Sequence, residues 1–489
     1  MLSWRMLTWE SLGARAVPEW FEDAKLGALV LWGPYSVPAW APLSGNHVEL
    51  VKENGWESLL SNDPRAEWYA NGMHISGSPT SKHHRSAWGR LGRYESFGKL
   101  FRQGLKGWQP GPLADCLAAS GARYVVGCAK HHDGFLMWPS RRRNPKRREW
   151  QTTVDVVGTL GEAVRERGLR FGVYYSGGLD WTFGGPPIKS LDDLLEAIPT
   201  TRTYATYVDA HMRELINRYR PSILWNDVCS PSRQDLLSLF SSYYESVPDG
   251  VVNDRFGQFD LEESSGLGSR LLEGIKRIVP LGTKHHSVHA SAAPTPQHLD
   301  FTTREDEEAP SDSAGMWERV RAIGSSAGCN SLETEDSLLS VGALVHLLVD
   351  TAAHGGNLLL GVGPTATGQI SESLECRLRG LGEWLKHNGE AIYSSRQWEV
   401  TDGVTDEGVQ IRYTRKGMTV YAILLGTPAG RAFLLPSLRL LPYASLRVLG
   451  SISHATWFQE GKDVQIRLSE PLRESPAHVI SITPPPRLT

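Results

Sequence analysis

The stretch ARYVVGCAKHHDG, residues 122–134, decides the fold expected for this chain. A run of mostly apolar or small residues leads directly into Lys130, His131, His132 and Asp133. Such a run is typical of a parallel strand that is buried on both faces of its sheet. The polar residues that follow it predict a chemical site at the C-terminal end of the strand.

Similar runs recur along the chain, and helical patterns separate them. The strand-like runs are KLGALVLWG (25–33), LRFGVYYS (169–176), PSILWNDV (221–228), GVVNDRFG (250–257) and GNLLLGVGP (356–364). Two segments between them, 159–168 and 204–220, repeat apolar residues at helical spacing and end on Gly or Arg-Pro stop signals. Six or more such units predict a (β/α) barrel of the TIM type over residues 1–395.

The pattern changes after residue 395. Short alternating runs such as VQIRYTR and MTVYAILLG predict a small antiparallel β domain over residues 396–489. Before that, a segment near 258–297, rich in part in Gly, Ser, Pro and Ala, is expected to form a long loop over one end of the barrel. Its KHHSVH run (284–289) is interpreted as a surface loop, with metal binding or closure over the site as alternatives.

The composition excludes several classes of function. The 489 residues are 40% hydrophobic and 21% charged, and the formal net charge is −3. No apolar run approaches the roughly 18 residues of a membrane span, and no basic field favours nucleic acid. Five scattered cysteines without a CxxC predict neither disulfides nor a zinc site. Without a secretory signal pattern, a cytoplasmic location is expected, although a removed signal peptide would leave the same sequence.

Polar residues follow the strand-like runs, where barrel enzymes carry their catalytic groups. Because side chains alternate along a strand, Trp225 and Asp227 share a face, which places an indole beside a carboxylate. The 17 tryptophans weakly favour carbohydrate as well, since indole faces stack on sugars. The pattern therefore predicts a sugar site built from an apolar plate, imidazoles and a carboxylate.

These motifs together resemble the α-L-fucosidases of glycoside hydrolase family 29. The resembling stretches are WFEDAKLGALVLWGPYSVPAW (20–40), AEWY (66–69), AKHHDGFLMWPS (129–140), FGVYYSGGLDW (171–181), YRPSILWND (219–227), VVNDRFG (251–257), GNLLLGVGP (356–364) and GEWLKHNGEAIY (382–393). The resemblance implies a (β/α)8-like barrel followed by a C-terminal antiparallel β-sandwich, and retaining hydrolysis of terminal α-L-fucosides. It implies no metal and no cofactor, because two carboxyl groups suffice for this chemistry.

The resemblance also assigns roles to two carboxyl groups. Asp227 in LWND would be the nucleophile that forms a covalent glycosyl-enzyme. Glu318 in GMWERVRAIG matches the acid/base segment best, and Glu305 in FTTRE is the reserve candidate. A raised pKa would allow the acid/base to arrive protonated, and a retaining pair needs its carboxyl groups roughly 5 to 5.5 Å apart.

Seven further residues are implied as sugar ligands. Neutral imidazoles offer one donor and one acceptor each, which suits pyranose hydroxyl groups. Only one of two neighbouring tyrosines can face the pocket, and the resemblance selects Tyr174 over Tyr175. The implied substrate-binding residues are Glu67, Trp68, His131, His132, Tyr174, Trp225 and Arg255.

Two positions depart from the family pattern. Leu31 stands where the family usually has His before Trp-Gly, and Gly361 stands where it commonly has Asn. The missing imidazole leaves open a related glycone such as a galacto-configured sugar. A non-catalytic carbohydrate-binding protein is a third alternative, but such proteins commonly lose the nucleophile, whereas this chain retains Asp227. The expected partners are a glycoside or oligosaccharide with terminal fucose, with no nucleic acid and no membrane, and the sequence is compatible with a homo-oligomer.

Overall fold

The computed structural model describes residues 7–43, 55, 57–89, 92–259, 294–305, 309 and 315–489. The predicted long loop near 258–297 falls mostly, and its KHHSVH run wholly, outside these described residues. Eight parallel strands form one sheet in the order β5-β4-β3-β2-β1-β8-β7-β6. Their bounds are β1 Leu26–Val30, β2 Tyr124–Lys130, β3 Arg170–Ser176, β4 Ile223–Asp227, β5 Val251–Val252, β6 Thr302–Glu305, β7 Trp317–Ala322 and β8 Asn357–Val362.

The sheet closes on itself between its two edge strands, β5 and β6. Asn253 and Phe301 form a parallel bridge across this seam. Side chains add further links, because Arg255 Nε donates to Thr303 Oγ1 at 2.9 Å and Thr303 Oγ1 donates to Asp254 Oδ1 at 2.7 Å. Consecutive strands are thus neighbours around the whole circle, and the predicted TIM-type barrel is confirmed.

Helices lie on the outside of the barrel. Capping residues that the sequence supplies set their ends: the Asp155 side chain accepts from Gly158 N, and Arg220 turns left-handed (φ 43°) just before Pro221. The helix bounds are α1 Trp9–Gly13, α2 Glu19–Ala24, α3 Tyr69–Gly72, α4 Pro79–Trp88, α5 Tyr94–Gly104, α6 Pro110–Ala119, α7 Val156–Glu166, α8 Leu191–Glu196, α9 Arg202–Tyr219, α10 Leu236–Ser246, α11 Val341–Ala353 and α12 Glu372–Asn388.

Strands β6 and β7 are the two that the apolar pattern does not predict. WERVRA carries two charged residues at buried positions, Glu318 and Arg319, and TTRE carries Arg304 and Glu305 at half-buried positions. Glu318 points into the barrel, where two side chains bind it, and Arg319 points outward to Asp350 Oδ2, 3.1 Å from its Nη1. Polar partners on both faces replace the hydrophobic contacts by which a buried strand is usually recognised.

The C-terminal residues form antiparallel sheets. A five-stranded sheet in the order β14-β17-β11-β10-β9 and a three-stranded sheet in the order β12-β16-β15 share one apolar core, and β13 pairs with β18. This is the predicted β-sandwich. The bounds are β9 Arg396–Val404, β10 Gln410–Lys416, β11 Thr419–Leu424, β12 Ala432–Leu435, β13 Leu438–Arg439, β14 Ser445–Val448, β15 Ala455–Glu460, β16 Asp463–Leu468, β17 His478–Thr483 and β18 Arg487–Leu488.

Helix α11 lies between the barrel and the sandwich. The segment Glu335–Ala353 that contains it has the length and mean hydropathy (1.3) of a membrane span. The helix packs against β8 and against β9 and β10, and Leu344, Leu348 and Ala352 are fully buried. This is the packing of a core helix. The last barrel helix ends at Asn388 and β9 begins at Arg396, on either side of the predicted domain boundary.

Candidate active site

A pocket of about 350 Å³ opens at the C-terminal ends of the barrel strands. Its depth follows from the fold, since the strands end together on this face and their following loops form the rim. Seven of the nine residues implied by the sequence line it, and Arg255 lies directly behind Asp227. The seven are Glu67, Trp68, His131, His132, Tyr174, Trp225 and Asp227.

Asp227 is the last residue of β4 and accepts hydrogen bonds on both carboxylate oxygens. Oδ1 accepts from Arg255 Nη1 at 2.7 Å and from Val228 N at 2.8 Å, and Oδ2 accepts from the Tyr174 hydroxyl group. His132 Nε2 lies 3.7 Å from Oδ2. These three hydrogen bonds, one of them from a guanidinium, hold the carboxylate in a fixed orientation, as a nucleophile requires.

Arg255 connects Asp227 to a second carboxylate, that of Glu305. Nη2 of Arg255 donates to Glu305 Oε1 at 2.5 Å, while Nη1 binds Asp227. Burial lowers the pKa of Arg255, but Glu305 and Asp227 outweigh it and hold that pKa above its usual value. One guanidinium therefore spans the two carboxylates, a geometry compatible with the roughly 5 to 5.5 Å separation of a retaining pair.

Glu318 does not reach this pocket, which corrects its choice as acid/base. The residue is fully buried; Oε2 accepts from the Tyr124 hydroxyl group at 2.6 Å and Oε1 from Trp225 Nε1 at 2.9 Å. Burial raises its pKa to about 7, although these two hydrogen bonds act in the opposite direction. The pKa of Glu318 is raised, as an acid/base requires, but the side chains of Tyr124 and Trp225 already bind both of its carboxyl oxygens.

The pairing of β6 with β7 explains the difference between the two glutamates. Glu305 lies beside Val320, whereas Glu318 lies beside Thr303, two residues deeper in the barrel. Glu305 is the last residue of its strand and lines the pocket. Among the described residues, the carboxyl groups that line the pocket are those of Glu67, Asp227 and Glu305. The structure therefore favours Glu305, the reserve candidate, as the partner of Asp227.

The two histidines have different surroundings. His132 Nδ1 lies 2.7 Å from Ser176 Oγ, which orients its other nitrogen toward Asp227. The His131 ring stacks on Tyr174 at 5.7 Å, and burial, with His132 as a second cause, lowers the pKa of His131 well below its usual value. In the described part of the chain, His131 Nδ1 is buried without a hydrogen-bond partner. His131 lines the pocket, and a neutral imidazole can donate one hydrogen bond and accept another from a hydroxyl group.

The loop after β1 supplies one wall of the pocket. Oε2 of Glu67 accepts from Gly328 N at 2.9 Å, and burial raises the pKa of Glu67. Trp68 lies edge-on to His132, with ring centroids 5.2 Å apart. The guanidinium of Arg65 lies 4.5 Å from the Trp68 ring and lines the pocket, a contribution that the sequence analysis missed. Its position directly before the AEWY motif was the available signal.

Tyr174 and Trp225 form the aromatic floor of the pocket. Their rings stack at 5.3 Å with an interplanar angle of 22°. Tyr175 points the other way, and its hydroxyl group lies 2.9 Å from His211 Nδ1 outside the barrel. Strand alternation thus places Tyr174, rather than Tyr175, in the pocket.

One group of described residues has the spacing of a metal site, but it lies outside the pocket. Ligand atoms of Asp350, His354 and Asp402 lie within 4.8 Å of one another. Two guanidiniums already bind these carboxylates: Arg319 Nη1 is 3.1 Å from Asp350, and Arg412 Nε is 2.8 Å from Asp350 and 3.0 Å from Asp402. The group is therefore an ion network between barrel and sandwich, and the expectation of no metal stays a prediction.

Two carboxylates spanned by one guanidinium, with an aromatic floor and imidazoles at the mouth of a (β/α)8 barrel, define a glycoside hydrolase. A family model described as alpha-L-fucosidase matches residues 5–390. The chain belongs to the α-L-fucosidase family.

Individual relatives agree with this membership. The human plasma α-L-fucosidase is 30% identical over 481 residues, which cover 95% of this chain and 88% of the relative. The rat tissue α-L-fucosidase is 28% identical and covers 92% of this chain and 86% of the relative. The α-L-fucosidase of Thermotoga maritima, solved in complex with fucose, is 36% identical, covers 97% of this chain and 99% of that structure, and has a TM-score of 0.80.

Proposed function

We propose that this protein is a retaining α-L-fucosidase that releases terminal fucose from glycosides. The observation that carries the proposal is the Asp227–Arg255–Glu305 arrangement in the pocket. The fucose complex of the Thermotoga maritima relative, and its complex with a mechanism-based inhibitor, support fucose as the glycone.

In the proposed double displacement each of the two carboxyl groups has one role. Asp227 Oδ attacks the anomeric carbon while Glu305, which takes up a proton when its ion pair with Arg255 opens, gives that proton to the leaving-group oxygen, so that one C–O bond forms as another breaks. Glu305 then removes a proton from water, which displaces Asp227 and releases the sugar with retained configuration. Between turnovers Arg255 binds both carboxyl groups and so fixes their positions relative to each other.

Sugar binding falls to the polar side chains around this pair. The imidazole of His131 and the carboxylate of Glu67 offer hydrogen bonds to secondary hydroxyl groups. Trp225 and Trp68 offer indole surfaces, and Tyr174 fixes the orientation of Asp227.

Hydrolysis of aryl glycosides by the wild type and by Asp227→Gly tests the proposal. We expect the wild type to cleave the aryl α-L-fucoside in preference to the α-L-galactoside, β-D-galactoside and α-L-rhamnoside, and the variant to be inactive but folded. Added azide should restore turnover in Asp227→Gly and give a fucosyl azide of inverted configuration, because azide then replaces the missing nucleophile. Wild-type protein that cleaves none of the four sugars, or a fully active variant, would overturn the proposal.

We further propose a cytoplasmic location. All five cysteines are free, and Cys116, Cys128 and Cys229 are buried, which fits a reducing compartment. Fractionation of the source cells, with activity measured in each fraction, tests this location.

A further inference from the structure

The pocket has a polar half and an apolar half. Strands β2 to β6 supply the polar half, which contains the two catalytic carboxyl groups and the histidines. The opposite side is lined by Leu29 and Leu31 at the end of β1, by Val320 and Ala322 of β7 and by Leu339. Arg321, Ser325 and Ser337 line this side as well. Leu31 stands where the family usually has His, but none of the sugar ligands named above lies on β7 or at Leu339.

The apolar half is a built part of the barrel. Leu29, Leu31, Val320 and Ala327 belong to the same packed cluster as Trp225. Along β7, Val320 and Ala322 share the inward face with Glu318, while Arg319 points out to Asp350. The packing of these side chains fixes an apolar surface that continues the aromatic floor of the pocket.

Close contacts with a loop keep this wall in place. A Cβ added to Gly361 of β8 would lie 2.9 Å from Ala327 Cβ, so Ala327 packs directly on the strand. Oε1 of Glu333 accepts from Ser325 N at 2.7 Å and from Ser326 N at 3.0 Å, and thus holds the loop that carries Ala327. The wall is therefore preorganised for a ligand.

The position of Glu305 identifies which part of a substrate meets this wall. Glu305 lies directly beside Val320 in the sheet, and Ala322 lies two residues nearer the mouth. An acid/base protonates the leaving-group oxygen, so the leaving group must lie beside it. At the mouth, Leu43 lines the same pocket and is 47% exposed. The surface from Val320 to Leu43 thus follows the path of a leaving group out of the pocket.

We infer that the apolar half is a subsite for the leaving group, and that it selects glycosides whose aglycone has an apolar face, such as an aryl or alkyl group. The inference rests on the proposed function and on Glu305 as the acid/base. The subsite is formed by Val320, Ala322 and Leu339, and the apolar aglycone contacts these side chains as the glycosidic oxygen meets Glu305.

Two matched substrates test the subsite. Phenyl and 2-naphthyl α-L-fucosides have leaving groups of similar acidity but differ by one aromatic ring. Burying the extra ring should raise kcat/KM about tenfold for the naphthyl glycoside with the wild type. Leu339→Asn, which places an amide on the apolar wall, should bring this ratio close to one. Leu332→Asn is the matched control, because Leu332 is an exposed leucine (39%) that does not line the pocket.

The outcomes separate this inference from the proposed function. If both fucosides are cleaved with equal kcat/KM, or if Leu339→Asn keeps the naphthyl preference, the subsite is refuted while the fucosidase stands. If Leu339→Asn instead changes discrimination against the matching glycoside without the C5 methyl group, the wall serves the glycone and the inference fails. If neither fucoside is cleaved, the proposed function fails, and calorimetric dissociation constants of the two glycosides decide the subsite by themselves.

Discussion

Replacing Glu305 and Glu318 by glutamine, one at a time, separates the acid/base from a structural carboxyl group. Glu305→Gln cannot supply a proton, so kcat/KM for phenyl α-L-fucoside should fall by about 10² to 10⁴. Glu318→Gln should keep near wild-type activity. Its amide oxygen can accept from Trp225 Nε1 and its amide nitrogen can donate to the Tyr124 oxygen, so both hydrogen bonds of the buried group survive.

The raised pKa of Glu318 also makes the stability of the folded protein depend on pH. Burial raises this pKa from 4.5 to about 7, so the folded protein binds the proton more tightly than the unfolded chain. The stabilisation is fully present below pH 4.5 and is lost as the pH rises through about 7. The shift corresponds to about 3 kcal/mol of unfolding free energy. Glutamine does not titrate, so Glu318→Gln should lack this loss.

Kinetics and denaturation together decide between the two assignments. Urea unfolding at pH 5 and pH 8 should show a smaller decrease in unfolding free energy for Glu318→Gln than for the wild type. Azide added to Glu305→Gln should give a fucosyl azide of retained configuration, because it attacks the glycosyl-enzyme on Asp227. A large loss of activity in Glu318→Gln together with an active Glu305→Gln would refute Glu305 as the acid/base. If the unfolding of the wild type and of Glu318→Gln depends on pH in the same way, the effect of burial on Glu318 is refuted.

Three further substitutions test other contacts. Tyr174→Phe removes a hydrogen bond to Asp227, so kcat/KM should fall about 10- to 100-fold. The acidic limb of the kcat/KM–pH profile should move to higher pH, because the charged form of Asp227 loses a donor, and an unmoved limb would contradict this. Arg255→Met removes the guanidinium that Asp227 and Glu305 share, so calorimetry should show about 3 to 5 kcal/mol less stability, whereas an unchanged Tm would contradict the bridge. Arg412→Met should cost about 1.5 to 3 kcal/mol in urea unfolding without changing kcat/KM, and altered kinetics would link the sandwich to the site.

The sequence predicts those parts of the barrel that hydrophobic burial forms. The apolar runs correspond to β1 to β5 and β8, and alternation along β3 and β4 places Tyr174 and Asp227 correctly on the pocket face. Strands β6 and β7 escape prediction because hydrogen bonds and ion pairs, not apolar contacts, satisfy their side chains. The choice between Glu305 and Glu318 depends on the pairing of β6 with β7, which places Glu318 two residues deeper in the barrel than Glu305 and which no pattern within either strand encodes.

The closure of the barrel between β5 and β6 has a consequence for stereochemistry. Asp227 and Arg255 lie on one side of this seam and Glu305 on the other, so the width of the seam sets the distance between nucleophile and acid/base. Retaining enzymes hold these groups roughly 5 to 5.5 Å apart, and inverting enzymes roughly 6.5 to 9.5 Å apart. A seam wider by a few ångströms would admit a water molecule between sugar and carboxylate. The contacts between β5 and β6 thus determine whether the released sugar keeps or inverts its anomeric configuration.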